Sequence, residues 1–372
     1  MTTLTWLEKL QNKAVSYIQN QPTKVQYGLN MFAFWPQEIA AQSFQAQHYA
    51  WHGPAEINFT SLENALENSL ETPLIKNHFS LTARSSRVTA LTIQKSADGV
   101  LINIPEHYQE STPCTLTISG ATHDTSLGHV IIKAGAHSKL TLITKLIGQQ
   151  ISSTNISVII ETGAQLNHII VQEESSLPQF LDIQYTVAEK AILNSIDIAS
   201  GNIQAQKKLS IQLQGYAAHG NLYHLNALKK NAHYDIDSSI FHQAANTFSQ
   251  LYTRAVLEDS SHMIYRGLIT VEDPAKESES VQKEATLILS PEAKIDAVPM
   301  LDIRNDLVQC SHSASMTNLD PEQLFYMATR GLTPAETRRM LIESFIHQDL
   351  NAIVDTELRV WLQDNINQLL EL

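Results

Sequence analysis

Cys310 and His312 stand two positions apart in the run Val308-Gln309-Cys310-Ser311-His312-Ser313-Ala314-Ser315. In an extended chain alternate residues share a face, so the thiol and the imidazole would lie side by side while Ser311 points away. A thiolate beside an imidazole suits iron or an iron–sulfur intermediate, with further ligands from a second chain. Val308 has the same parity, so the spacing equally fits a small buried cysteine next to a strand-end histidine. His219, His224, His233 and His242 follow at intervals that match no compact ligand motif and read as wall or surface residues. Asp182, Asp197, Asp235, Asp237 and Asp259 could serve a polysaccharide hydrolase or lyase, which needs two carboxylates facing each other across a groove, but they form no recurring cluster. The chain has neither a Gly-x-x-x-x-Gly-Lys-Ser/Thr loop nor a Gly-x-Ser-x-Gly elbow. It therefore offers no P-loop for a nucleotide, and any ATP driving its work is hydrolysed by another subunit.

The elements that would position these residues change character along the chain. Leu4, Leu7, Leu10, Ala14 and Ile18 recur at helical steps. Short helical patterns such as Leu62–Leu70, interrupted by Pro22, Pro36, Pro54 and Pro73, extend a helical N-terminal region over residues 1–84. From about Val88 the period becomes two, in runs such as Val100–Ile104, Thr115–Ile118 and Leu140–Ile143. The absence of intervening helical patterns excludes a doubly wound α/β fold. Turns at Ala136, Ala164 and Ala191 are 28 and 27 residues apart, and later ones such as Ala275 and Ala293 come closer together. A period in the twenties with two strands per repeat predicts a mainly β chain: a right-handed parallel β-solenoid, or β-helix, over residues 85–315. An antiparallel sandwich is the alternative. Neutral polar residues at outward positions are expected to form ladders from coil to coil, and an open terminal coil would invite another chain.

Residues 316–372 return to helical signals. Asp320-Pro321-Glu322-Gln323 and Thr333-Pro334-Ala335-Glu336 each supply an N-cap and a first-turn proline, with Gly331 as a stop between them. A third helix is expected after Asn351.

Composition narrows the class further. The 372 residues carry a formal net charge of −13, and the scattered Lys and Arg argue against nucleic acid. Two distant cysteines, Cys114 and Cys310, build neither a disulfide framework nor a zinc motif, which points to a reducing compartment. No apolar run is long enough to span a membrane, and the N-terminus does not read as a secretion signal, so a cytoplasmic location is expected.

Cys310, Ser311, His312 and Ala314, followed by Phe325, Tyr326, Arg330 and Gly331, resemble the Cys-Ser-His-Gly-Ala-Thr segment and the following helix of the SufB/SufD family of iron–sulfur cluster assembly proteins. Ile264–Val271, Thr286–Ser290 and Ala297–Ile303 are similar to family segments as well, whereas Ser313 and Ser315 depart from the usual Gly and Thr. Moderate length and the lack of an early cysteine pair put the resemblance on the SufD side. The resemblance implies a non-catalytic scaffold that pairs with a SufB-like paralogue, or with itself in isolation, and binds a SufC-like ABC ATPase. It implies Cys310 and His312 as candidate ligands of iron or a nascent cluster shared with the partner. Phe325, Tyr326, Arg330, Met340 and Phe345 are the candidate ATPase-docking residues. Family complexes are linked to reduced flavin, but no flavin pocket is recognisable here.

Overall fold

A computed structural model describes residues 4–20, 44–68, 70–82, 87–120, 125–148, 150–348, 350, 353 and 355–369. Pro22 and Pro36 fall outside these residues. The chain begins with α1 (Leu4–Asn20), β1 (Phe44–Ala46), β2 (His48–His52), β3 (Asn58–Ser61), α2 (Leu62–Glu67), α3 (Thr72–Thr82) and α4 (Arg87–Lys95). The strands β4 (Gly99–Ile104), β5 (Cys114–Ser119), β6 (Thr125–Ala134), β7 (Lys139–Ile147), β8 (Ser152–Ile160), β9 (Gln165–Gln172), β10 (Ser175–Val187) and β11 (Ile192–Gly201) follow. Then come β12 (Ile203–Leu213), β13 (His219–Leu228), β14 (His233–His242), β15 (Phe248–Leu257), β16 (His262–Val271), β17 (Glu279–Ile288), β18 (Lys294–Ile303) and β19 (Gln309–Asn318). Three helices end the chain: α5 (Pro321–Thr329), α6 (Pro334–His347) and α7 (Thr356–Leu369).

From β4 onward successive strands alternate between two sheets, and neighbours within each sheet are parallel, so every coil gives one strand to each sheet. This is a parallel β-solenoid. The period-two region starts later than about Val88, because Arg87–Lys95 is α4. Its β-branched composition suits a strand, but Ala90 and Ile93, one helical step apart, bury against Leu101 and Ile131 of the first sheet, and packing overrides propensity. Three strands also precede residue 84. Of these, β2 and β3 pair antiparallel with β5 and β4 and extend the two sheets by one strand each.

One corner explains how the coils stack. His137, Gly163, Lys190, Ala217, Asn246 and Glu277 all have positive φ, and each is followed by a small buried residue: Ser138, Ala164, Ala191, Ala218, Thr247 or Ser278. The backbone ladder runs through the corner, for example from Lys190 N to Tyr216 O at 2.9 Å. Ala164 and Ala191 are true repeat partners, since Gln165 pairs with Ile192. The partner in the preceding coil is Ser138 and not Ala136, because Lys139 pairs with Gln165. Ala275 and Ala293 precede the consecutive strands β17 and β18, so their short spacing is not a coil. The coil length in fact varies, with 30 residues between Gly99 and His129, 26 between Lys139 and Gln165 and 32 between His262 and Lys294.

The outward ladders are of two kinds. On the second sheet Asn221 donates to Asn194, Asn194 to Asn167 and Asn167 to Thr141, a neutral amide ladder. On the first sheet the register row Asn155, Asp182, Lys208, Asp237, Arg266 alternates in charge, which replaces like-charge repulsion by attraction.

The N-terminal helices cover the first sheet near its β3 end, with Trp6, Leu7, Leu10 and Ala14 of α1 packed on Phe79 and Ile93. At the other end of the chain α6 and α7 fold back over the second sheet, where Ile342, Ile346, Leu358, Leu362 and Ile366 bury Ile169, Ile196 and Tyr252. They therefore lie along the solenoid's flank and leave its last coil, β18 and β19, open.

Candidate functional site

β19 is the last strand of the second sheet, paired along its whole length with β17 and, among the described residues, with no strand on its other edge. Alternation puts Cys310 and His312 on the lumen face. Cys310 is half-buried against the core, as is Val308, and His312 is exposed. Cys310 pairs in register with Ser280 and His312 with Gln282. Burial raises the Cys310 thiol above its ordinary pKa, opposed by the Ser280 backbone N–H, so a metal must displace a proton to bind sulfur there. Ser313 has no positive φ and continues the strand, so glycine's freedom at this position is not needed.

Beneath the open coil the lumen becomes polar. Gln282 and Glu284 are buried on β17, and burial raises the Glu284 carboxyl, with the Thr286 hydroxyl, the Ser315 N–H and Arg254 opposing. Deeper in, Asp197 accepts from Lys207 Nζ at 2.6 Å, from Tyr234 Oη at 2.7 Å and from His224 Nδ1 at 3.1 Å. The other ring nitrogen, His224 Nε2, is hydrogen-bonded with Ser238 Oγ at 2.7 Å. Burial works against the Asp197 charge, yet Lys207 and His224 hold its carboxyl well below the usual range. Burial lowers Lys207. One step further His168 and Ser195 flank Tyr185 Oη, each at 2.9 Å.

These contacts separate the residues that sequence had grouped. His224 and His242 are enclosed, whereas His219 and His233 lie at corners beside Phe248 and His262. Among the described residues no three His, Cys, Asp or Glu side chains are grouped to hold a metal by themselves. The candidate hydrolase carboxylates are engaged elsewhere. Asp197 is sealed in the lumen, Asp235 is ion-paired to Arg266, Asp182 accepts from Thr89 at 3.0 Å, and Asp259 caps a corner through the Lys230 N–H at 2.8 Å. Asp237 lies 3.9 Å from Arg266 Nε. Cys114 is buried, its thiol pushed up to about 11, at the opposite end of the second sheet from Cys310.

The helices after β19 present a second feature. Asp320 caps α5 by accepting from Glu322 N at 2.9 Å, and Thr333 with Glu336 forms a full capping box on α6. α5 buries none of its residues. Phe325 is 72% exposed, Tyr326 55% and Met340 45%. Arg330 lies over the Tyr326 ring at 5.0 Å and bonds its hydroxyl at 3.0 Å. Phe345 differs, being partly buried on the second sheet with Arg254 over its ring at 4.7 Å. A groove of about 800 Å³ separates the end of β19 from α6, lined by Thr317, Leu319, Gln323, Leu341 and Phe345. Among the described residues no helix is long and apolar enough to cross a membrane.

The geometry is thus a parallel solenoid whose second sheet ends on a Cys-x-His strand, followed by an exposed helix. The chain belongs to the family described as SUF system FeS cluster assembly, SufBD core domain, whose model matches residues 116–345. It is similar to an iron–sulfur cluster assembly SufBD family protein of Staphylococcus saprophyticus, 24% identical over 301 residues, 78% of this chain and 64% of that protein. A SufBD family protein of Mycobacterium bovis is 27% identical over 221 residues, 59% of this chain and 26% of that protein. The iron–sulfur cluster assembly protein SufB of Bacillus subtilis is 26% identical over 195 residues, 52% of this chain and 42% of that protein. The chain thus spans less than two thirds of the length of these relatives.

Proposed function

We propose that this chain is a SufD-type scaffold subunit that pairs with a SufB-like solenoid through its open last coil. The pairing places Cys310 and His312 at a shared edge, where they hold iron or a nascent cluster transiently with ligands from the partner. A SufC-like ATPase docks on α5 and the start of α6, around Phe325, Tyr326, Arg330 and Met340, and hydrolyses the ATP. Phe345 supports that surface from below. In isolation a second copy occupies the same edge. The protein acts in the cytoplasm as a scaffold and does no chemistry of its own.

The observation that carries this reading is the terminal strand β19, with two ligand-type side chains on its lumen face and, among the described residues, no third grouped with them to complete a site. A lone pair of ligands at an unpaired strand edge suits a centre completed by another chain. The test is iron retention by the complex purified anaerobically from its own cells, comparing wild type with Cys310→Ala/His312→Ala. Loss of iron with both partners still bound is the expected result. Unchanged iron and unchanged cluster delivery would reject the site.

A further inference from the structure

Gln282 lies beside His312 in register, on a strand about 4.8 Å away. Its side chain is fully enclosed and crosses the lumen, where Nε2 donates to the Gly267 carbonyl at 3.2 Å and to Tyr265 Oη at 3.3 Å. A carbonyl only accepts, so it dictates which end of the amide faces Gly267 and turns Oε1 the other way. That oxygen is buried and has no hydrogen-bond partner. Buried acceptors are nearly always paired, so an unpaired one beside an imidazole points to a bond waiting to be made. The opposite wall enforces the arrangement. A Cβ on Gly267 would stand 2.2 Å from Gln282 Nε2 and 2.4 Å from Tyr265 Oη, so the amide can cross only above a glycine.

We propose that Gln282 is a positioning residue for His312: its unpartnered Oε1 accepts the ring N–H and leaves the other ring nitrogen as the metal-binding lone pair. A histidine ligand needs its non-coordinating N–H held, because that bond fixes both tautomer and ring orientation. His312 is exposed at the open end, so its ring is free to turn toward Gln282 while the second nitrogen faces the partner side. Tyr265 and Gly267 hold Gln282, and Gln282 holds His312. The purpose of this chain of contacts rests on the reading of His312 as an iron ligand, but the contact itself does not.

The test separates the two. Side-chain ¹⁵N NMR of the metal-free chain should show one dominant His312 tautomer in wild type. A mixture is expected in Gln282→Leu. Gly267→Ala, which displaces the amide without altering Gln282, should give the same mixture and guards against a folding defect peculiar to the leucine variant. Co(II) titration of the complex with its solenoid partner, followed by absorption, should weaken about 10- to 100-fold in Gln282→Leu. Identical tautomer populations in wild type, Gln282→Leu and Gly267→Ala would overturn the proposal. A tautomer effect without Co(II) binding in wild type would reject the iron-site reading and leave the positioning contact standing.

Discussion

Asp197 shows how much of this molecule's chemistry is internal: an ammonium, a phenol and an imidazole all converge on one carboxylate with no exposed atom. Removing one member of a buried ion pair strands the other, at about 3–5 kcal/mol. Lys207→Met is therefore expected to lower stability by about that amount in urea unfolding, and Asp197→Asn added to it should recover part of the loss. Additive losses in the double variant would show that the pair is not coupled. None of this was legible from the chain, because Asp197, Lys207 and Tyr234 meet only when facing sheets close over them. The same holds for Gln282, whose importance lies in contacts with Gly267 and Tyr265 across the lumen. Cys310 and His312, by contrast, could be placed on one face from parity alone, since a strand alternates strictly and the two are two residues apart. Parity could not say that the strand would be the open one.

The corner and the helix caps show which elements a sequence declares. Asp320-Pro321 and Thr333-Pro334-Ala335-Glu336 start helices where their caps predict, because capping is settled within one turn. The coil period was partly legible, from Ala164 and Ala191, yet the left-handed corner residues hid it: only Gly163 among the six is glycine. A non-glycine residue in that conformation carries about 1–2 kcal/mol of strain. Ala217→Gly should relieve part of it, and an increase of up to about 1 kcal/mol in unfolding free energy is expected after the entropic cost of glycine. A decrease would mean that the Ala217 side chain contributes packing outweighing its strain. α5 makes a different prediction. Phe325→Asp removes nothing buried, so its melting temperature should stay within about 0.5 kcal/mol equivalent of wild type, and binding of the ATPase should be lost. Retained binding would move the docking surface away from α5. The fold-back of α6 and α7 over Ile169, Ile196 and Tyr252 had no local signal, and it means that truncation before Asp320 would bare an apolar face and confuse docking with unfolding.

At the scale of the whole molecule, one end of the solenoid finishes on the antiparallel strands β2 and β3 and the other on the parallel strands β18 and β19, so the two ends differ. The buried histidines give that fold an acid limit. Burial lowers His129 to about 4, His168 to about 3 and His242 to about 4, and holds His78 well below its ordinary value, with His129 adding to that shift. An unfolded histidine takes up a proton near 6.5, so unfolding binds protons between about pH 6.5 and 4, and each costs about 1.4 kcal/mol of stability per pH unit through that window. Glu284, raised by burial, acts in the opposite sense by at most one proton. Melting temperature should therefore fall steadily from pH 7 to pH 4.5, and a flat profile would show that these histidines are solvated. The β19 end carries the proposed pairing with a second solenoid chain. The most direct measurement is recovery of partners with the tagged chain from its own cells, identified by mass, for wild type, Phe325→Asp and Met316→Lys, the last altering a residue 57% exposed on β19. On the proposed pairing, an ABC-type ATPase and a second solenoid chain are expected with wild type, loss of the ATPase alone with Phe325→Asp, and loss of the solenoid chain with Met316→Lys. Recovery of the wild-type chain without either partner, or indifference of both partners to both substitutions, would contradict it.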